Sequence, residues 1–322
     1  MTLSTPIDKE LPSAAVWETP LQAFWQILRR DRLAIVSLVI LALLGITAVA
    51  GKALTEWTRV LDPATVRLTD KFRPPLTPAS SALAIADRPL GGVYLLGTDE
   101  LGRDVFARML QGTSVSLLIG FVAVGISTLI GALLGGLAGF YGNVRLGFIK
   151  VDTLIMRFTD VMLCFPTFFL ILTVVALLPP SIYNIMIVIG VTSWMGTARF
   201  VRAEFLTLRE QDFVVAAKAL GLPERRIIFR HMLPNALSPV LVSATISVAD
   251  AILTESALSF LGFGVQPPYA TWGNVLSDGK GFIFDAPWLF FIPGVAILIV
   301  VLAFNLVGEG MREALNPKRR SR

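Results

Sequence analysis

Residues 109–144 read MLQGTSVSLLIGFVAVGISTLIGALLGGLAGFYGNV and contain no Asp, Glu, Lys or Arg. The hydrocarbon core of a bilayer is about 30 Å thick, and a helix of about 20 apolar residues crosses it. The stretch is longer than one crossing requires, so it predicts a transmembrane helix.

The composition of the whole chain supports a membrane protein. Of the 322 residues, 54% are hydrophobic and only 16% are charged, and the mean hydropathy is +0.71. Soluble domains carry about 25% charged residues. The same values exclude intrinsic disorder, which requires low hydrophobicity and high charge. Cys164 is the only cysteine and His231 the only histidine, so an intrachain disulfide is excluded and an ordinary zinc site is disfavoured.

Five apolar stretches, one of them divided in two, predict an all-α integral membrane protein with six transmembrane helices. Besides 109–144, the stretches are 33–51, 161–199, 231–249 and 286–308. Pro179 and Pro180 divide 161–199 into two spans with a short turn, because a pair of prolines ends a helix. The fifth span is expected to continue past Asp250.

The distribution of basic residues predicts the orientation. Segments 1–32, 141–160, 199–231 and 309–322 hold 19 of the 28 Lys and Arg. Basic loops favour the cytoplasmic side, so both termini are predicted to be cytoplasmic, that is N-in and C-in. Ala48-Val49-Ala50 resembles a signal-peptidase site, but the leading segment is long for a signal peptide and five more spans follow. An uncleaved first span is therefore favoured.

These assignments divide the chain into five parts. They are a cytoplasmic N-terminal segment (1–32), a first transmembrane helix (33–51), an extracytoplasmic loop (52–112), a five-helix core (113–308) with a cytoplasmic loop at 203–235, and a cytoplasmic C-terminal tail (309–322).

Catalytic motifs do not occur in the sequence. It has no G-x-x-x-x-G-K-[ST] phosphate loop, no H-E-x-x-H and no G-x-S-x-G. We therefore expect no enzyme and no cofactor or metal in this chain.

Two acidic residues fall in or near the fifth span, Asp250 and Glu255. Acids in a membrane are costly and are candidates for a path or gate. The alternative, which we favour at this point, places them near the outer end, hydrogen-bonded to a neighbouring helix or in contact with water.

Three glycines at four-residue spacing lie on one face of the second span, Gly131, Gly135 and Gly139. Such a face permits close contact between helix backbones. It predicts tight packing and no specific function.

The loop between the fourth and fifth spans is predicted to be helix, break, helix. Residues 211–220 favour a helix, Gly221 suits the position after its end, and Pro223 and Glu224 suit the first turn of the next helix. Pro234 is expected to close the unit before the membrane.

A small helix held at a membrane surface can insert into a groove on a partner protein. An ordinary connecting loop remains an alternative. A DNA-binding helix-turn-helix is disfavoured because both flanks are membrane spans, so no nucleic-acid partner is expected.

This loop resembles the EAA loop of bacterial ABC-importer permeases, which docks into the ATP-hydrolysing subunit. In that family the pattern is Glu-Ala-Ala, three residues, Gly, and a hydrophobic stretch that ends near Leu-Pro; here Val215 replaces the Glu. The resemblance assigns ATPase coupling to Val215, Ala216, Ala217, Lys218, Ala219, Leu220, Gly221, Leu222, Pro223, Leu233 and Pro234.

Three further stretches resemble the dipeptide and oligopeptide branch of these permeases. They are LGTDELGRDV (96–105), LSFLGFGVQPP (258–268) and FNLVGEGMR (304–312). The first contains the signature residues Gly97, Thr98, Asp99, Gly102, Arg103 and Asp104. Over residues 25–317, the chain resembles the C-type permease subunit of oligopeptide and dipeptide importers.

The resemblance implies a type I (MetI-like) permease fold in the lipid of a bacterial inner membrane. It implies a second, B-type permease, two cytoplasmic ATPases that hold ATP and Mg, and an extracytoplasmic solute-binding protein as partners. The cargo is expected to be dipeptides or oligopeptides, with nickel complexes as the alternative. A secondary transporter or channel that works alone is the competing class.

Overall fold

The computed structural model describes residues 25–26, 28–57, 61–84 and 88–315. Most of them are helical. The helices are α1 (Arg32–Lys52), α2 (Val105–Phe140), α3 (Val151–Leu163), α4 (Thr167–Leu177), α5 (Ile182–Thr192), α6 (Trp194–Arg209), α7 (Asp212–Ala219), α8 (Glu224–Phe260), α9 (Trp272–Gly279) and α10 (Trp288–Ala314). A π-helical turn, Ala53–Trp57, extends α1, and Leu68–Asp70 and Leu90–Gly92 form 3-10 turns.

Four helices are long and apolar enough to cross a membrane: α1 with its extension, α2, α8 and α10. Two further candidates are bent pairs. The chain bends by 78° between α3 and α4 and by 41° between α5 and α6. The described residues therefore contain four candidate spans, or up to six if each bent pair counts as one.

Two predicted boundaries are wrong. The second span, predicted from the apolar stretch 109–144, is Val105–Phe140, and it includes Arg108 because that side chain is buried and ion-paired. The apolar stretch 161–199 does not begin as one straight helix. Residues 164–166 interrupt it, since Pro166 has no N–H to donate and disfavours a helical conformation at the residue before it.

The structure confirms the turn at Pro179 and Pro180, since α4 ends at Leu177 and α5 begins at Ile182. Helix α8 continues past Asp250, as expected.

The expectation for Pro234 is wrong, because α8 runs through it. Residues Ile227–Met232 form wide π-turns, in which the N–H of Leu233 donates to the carbonyl of Ile228. The amide Nδ2 of Asn235 donates to the carbonyl of His231 at 2.6 Å. Pro234 falls in the first turn of the regular α-helical segment that follows these π-turns, a position where a proline is tolerated, so the helix continues.

The chain is also not purely helical. Strand β1 (Thr77–Pro78) pairs antiparallel with β2 (Val93–Tyr94), and β3 (Arg145–Leu146) pairs antiparallel with β4 (Ile149–Lys150). The first pair folds part of the segment that was predicted to be a loop, 52–112.

Helix α2 is about 54 Å long at 1.5 Å per residue and connects the two ends of the bundle. We name these the Asp99 end, where α2 begins, and the Gly221 end, where α2 finishes beside α7. The predicted glycine face of α2 is confirmed. A Cβ atom at Gly139 would lie 2.6 Å from the Cβ of Phe205, and one at Gly135 would overlap the carbonyl oxygen of Ala198. Both neighbours belong to α6, whose backbone therefore lies directly against α2.

Candidate functional site

At the Gly221 end, the short helix α7 is attached to the bundle by one face. Val214 and Ala217 are buried in an apolar cluster with Phe140 and Ile227. The opposite face is open: Val215 is 52% exposed and the following Leu220 is 80% exposed. Ala216, Lys218 and Ala219 are exposed as well. The helix therefore presents small and apolar side chains outward from a fixed base.

Gly221 ends α7 with a Schellman motif, as the predicted break requires. The N–H of Leu222 donates to the carbonyl of Ala217 at 3.2 Å, and the N–H of Gly221 donates to that of Lys218 at 3.0 Å. Gly221 has φ +71°, a conformation that side chains rarely adopt. Pro223 then caps α8, one position before the predicted first turn.

The end of α2 and the start of α8 are joined beside this motif. Tyr141 follows α2 and lies beside Glu224 in the first turn of α8. Burial, and after it the neighbouring carboxylate of Glu224, raises the pKa of Tyr141. Leu222 and Leu233 pack partly buried on the cluster under α7, whereas Pro234 is exposed. The predicted coupling residues therefore form one continuous unit with the ends of α2 and α8.

At the Asp99 end, the signature residues converge on the carboxylate of Asp99. Its Oδ1 accepts from the N–H groups of Leu101 and Arg103, both at 2.9 Å. Its Oδ2 accepts from the Nε of Arg103 at 2.6 Å and from the Nη1 of Arg108 at 2.7 Å. All of these donors belong to the signature or to the first turns of α2.

A second carboxylate completes this cluster. Asp278 of α9 lies 3.1 Å from the Nη2 of Arg103 and 2.8 Å from the Nη2 of Arg108. Two arginines and two aspartates therefore balance in charge and tie α9 to the start of α2. The sequence analysis missed Arg108 and Asp278, and Asp278 lies too far along the chain for local spacing to indicate the pairing.

Thr98 connects the signature to the segment before it. Its Oγ1 donates to the carbonyl of Asp70 at 2.6 Å and accepts from the N–H of Arg73 at 2.8 Å. Tyr94 donates from its hydroxyl to Asp70 Oδ2 at 2.9 Å. Burial, followed by the hydrogen bond to Asp70, raises the pKa of Tyr94 well above its ordinary value. The sequence analysis did not identify Asp70 or Tyr94.

The remaining signature residues shape the backbone. Gly97 and Gly102 have φ +80° and +70°, and a Cβ at Gly102 would overlap the carbonyl oxygen of Arg67. Asp104 caps α2, since its side chain accepts from the N–H of Phe106 at 2.9 Å. Burial raises the pKa of Asp104. The six residues therefore fix the fold of the segment that leads into α2.

The two acids of α8 lie in different surroundings. Glu255 is fully buried and accepts from the Oγ of Ser259 at 2.7 Å. Asp250 is exposed on a cavity of about 270 Å³. The structure does not bring them together. Within the described ranges, no group of three or more His, Cys, Asp or Glu is placed to hold a metal ion.

Comparison with known proteins gives two family matches. Residues 127–321 match the family described as binding-protein-dependent transport system inner membrane component. Residues 19–75 match the family described as the N-terminal TM domain of oligopeptide transport permease C.

Individual relatives align over almost the whole chain. The dipeptide transport system permease protein DppC of Alkalihalophilus pseudofirmus is 39% identical over 99% of this chain and 95% of its own. The di/tripeptide transport system permease protein DppC of Pseudomonas aeruginosa is 39% identical, with 94% of each chain covered. The oligopeptide transport system permease protein OppC of Bacillus subtilis is 34% identical over 96% of this chain and 92% of its own.

A solved chain from the inward-facing MetNI methionine ABC transporter has the same fold. Its TM-score is 0.50 at 18% identity, over 66% of this chain and 98% of that chain. The type I permease fold that the resemblance implied is thereby confirmed for the aligned part of the chain.

Proposed function

The chain belongs to the family of binding-protein-dependent transport system inner membrane components, and on that premise we propose that it is the C-type permease of an importer of dipeptides and oligopeptides. It is a multi-pass protein of the bacterial inner membrane. Relatives named for dipeptide, di/tripeptide and oligopeptide transport align with nearly all of it, which supports the peptide cargo.

The observation that carries the proposal is the exposed face of α7. A helix that is seated by Val214 and Ala217 and that exposes Val215 and Leu220 fits a groove on a partner protein. We assign that groove to a cytoplasmic ATPase, with ATP and Mg bound in the partner. Two such ATPases and a second, B-type permease complete the membrane assembly.

The two ends then face opposite compartments. The Gly221 end carries Arg145, Lys150, Lys218, Arg225 and Arg226, and basic residues favour the cytoplasmic side. The Asp99 end is extracytoplasmic and receives the solute-binding protein. Apolar side chains at this end support a protein contact, since Phe284 is 96% exposed and Leu76 is 74% exposed.

Transport proceeds by alternating access. Closure of the ATPase pair on ATP displaces α7, and the contacts of α7 with α2, α6 and α8 transmit the displacement as a rigid-body movement of the spans. Coupling requires a contiguous physical link, and the buried cluster under α7, which joins side chains of α2, α6, α7 and α8, supplies one. The path opens to the loaded binding protein and then, after hydrolysis, to the cytoplasm.

The test is purification of the tagged chain from its native membrane, mass spectrometry of the proteins that accompany it, and reconstitution of the complex into liposomes. A second permease, one or two ATPases and ATP-dependent uptake of a labelled dipeptide with its binding protein are expected. A chain that purifies alone and transports on an ion gradient would instead be a secondary transporter or channel. Uptake of a nickel chelate, but no peptide, would overturn the cargo.

A further inference from the structure

A cavity of about 270 Å³ lies where both bent spans are interrupted. Thr167, the first residue after the interruption at 164–166, lines the cavity. Ser193, the residue that separates α5 from α6, lines it as well. Ser127, near the middle of α2, forms another part of its wall. Interrupted helices are tolerated at membrane depth only where protein covers them or where they line a water-filled space. Two interruptions that meet at one cavity indicate a wet site inside the bundle.

Three of the six hydroxyl side chains that line this cavity present hydrogen-bond acceptors to it. The hydroxyls of Thr192, Ser247 and Thr254 each donate to a carbonyl of their own helix, at 2.6, 3.0 and 2.7 Å. Their protons are therefore engaged, and the oxygen lone pairs remain available to the cavity. Such a lining complements a group that donates hydrogen bonds.

Asp250 is the one charged residue among the described residues that line the cavity. In the described part of the chain, no hydrogen bond or ion pair reaches its carboxylate. A charged carboxylate within a membrane span is costly unless it is paired or wet, and such a residue commonly marks a transport path. The cavity therefore combines a negative charge with acceptor oxygens and has no cation of its own.

We propose that this cavity receives the ammonium group of a peptide during transport, with Asp250 as its counter-ion. This inference rests on the proposed peptide cargo. An unblocked peptide carries three N–H donors on its terminal ammonium, which match the acceptors of Thr192, Ser247 and Thr254. Its carboxylate is repelled by Asp250, so the peptide enters this site with its amino end.

The first test measures whether the cavity is wet and selects cations. Thr254→Cys is made in a Cys164→Ser background, because Cys164 is itself exposed. The complete importer is treated with two methanethiosulfonate reagents, one carrying trimethylammonium and one carrying sulfonate. The cationic reagent is expected to react about tenfold faster, and Asp250→Asn should abolish this preference, as expected for one unit charge a few ångströms away. If the two reagents react at equal rates while Asp250 is still present, the inference is overturned. This outcome covers the case in which a cation of a partner subunit already neutralises Asp250.

The second test measures dipeptides moved per ATP hydrolysed in liposomes, with a dipeptide-loaded binding protein. Asp250→Asn is expected to lower this ratio about tenfold and to leave stimulated ATP hydrolysis unchanged, whereas Asp250→Glu should retain most of it. Glu309→Gln, at an exposed carboxylate outside the cavity, is the matched control. An unchanged ratio, or parallel loss of ATP hydrolysis, overturns the role of Asp250. If the unaltered importer moves no dipeptide, the proposed function fails first, and the peptide assignment of the cavity fails with it.

Discussion

The Nη1 of Arg108 lies 2.7 Å from the Oδ2 of Asp99, and both side chains are buried. Arg108 belongs to the first turns of α2, whereas Asp99 belongs to the segment that precedes it. The other guanidinium nitrogen of Arg108 reaches Asp278 of α9. The side chain of Arg108 therefore joins three segments that form the Asp99 end. Removing its positive charge would leave the buried carboxylate of Asp99 poorly compensated.

Arg108→Met is expected to destabilise the protein by about 3 kcal/mol, the cost of breaking a buried ion pair by removing one partner. Thermal unfolding of the purified chain in detergent measures the effect. Arg73→Met is the matched control, because Arg73 is 41% exposed and lies 3.5 Å from Asp70. That exposed pair should contribute less than about 1 kcal/mol. Equal loss in the two variants would contradict the importance of burial.

Asp104→Asn is expected to flatten the dependence of stability on pH. Burial raises the pKa of Asp104 above its ordinary value of 3.8, although Arg67 acts in the opposite direction. The contribution of a raised carboxyl pKa is present below the ordinary value and is lost as the pH rises through the value in the folded protein. Asn retains the capping oxygen and does not titrate.

Unfolding midpoints of the two proteins, measured between pH 4 and pH 7, test this expectation for Asp104. The stability of the unaltered protein relative to Asp104→Asn should fall as the pH rises. A relative stability that instead increases with pH would show that the N–H of Phe106 and the charge of Arg67 together outweigh burial.

Gly135→Ala and Gly125→Ala should have opposite effects, although both glycines lie in α2. A Cβ at Gly135 would overlap the backbone of Ala198, so we expect a loss of about 1–3 kcal/mol from overpacking. A Cβ at Gly125 has no neighbour within 4 Å, and alanine favours a helix over glycine by about 1 kcal/mol. Thermal unfolding in detergent distinguishes the two. A loss at both positions would show that the face of Gly125 is also covered in the assembled protein.

The features that the sequence could predict are those with local causes. The apolar stretches marked the helices, the pair Pro179-Pro180 marked a turn, and Gly221 marked the end of a helix. Each depends on backbone geometry or on transfer into the bilayer, which neighbouring residues determine. The glycine face of α2 was predictable for the same reason, because helical periodicity places its members on one side.

The features that were missed depend on distant contacts. Arg108 made the start of α2 look like a loop, because its partner Asp278 is far away along the chain. Pro234 looked like a helix end, because the π-turns that continue the helix before it are not visible in composition. Asp250 and Glu255 looked equivalent, although only the folded bundle decides which acid is enclosed and which faces a cavity.

Leu220→Asp is expected to weaken association with the ATPases without unfolding the chain. Leu220 is 80% exposed, and removing a large apolar contact from the centre of an interface commonly costs about 2 kcal/mol or more in binding. Co-purification of the ATPases at increasing salt and detergent measures this loss. Phe148→Asp is the control, because Phe148 is fully exposed at the turn of the β3–β4 hairpin, outside α7. An equal loss of ATPases in both variants would place the contact elsewhere or spread it over the whole Gly221 end.

Gly221→Val is expected to lower peptide uptake at least about tenfold while the protein still inserts into the membrane. No atom lies within 4 Å of the position where a Cβ would be, so the variant does not clash with a neighbour. The strain comes from φ +71°, where a β-branched residue costs roughly 1–3 kcal/mol. Relief of that strain opens the Schellman motif and changes the angle at which α7 leaves its base.

Gly221→Asn is the matched control, because Asn tolerates this conformation and should retain most of the uptake. Uptake, and ATP hydrolysis stimulated by the binding protein, are measured at equal membrane levels of each variant. Normal uptake by Gly221→Val would show that coupling does not depend on the angle of α7. Equal loss of uptake in the Val and Asn variants would show that any side chain at this position obstructs the partner, whatever the backbone conformation.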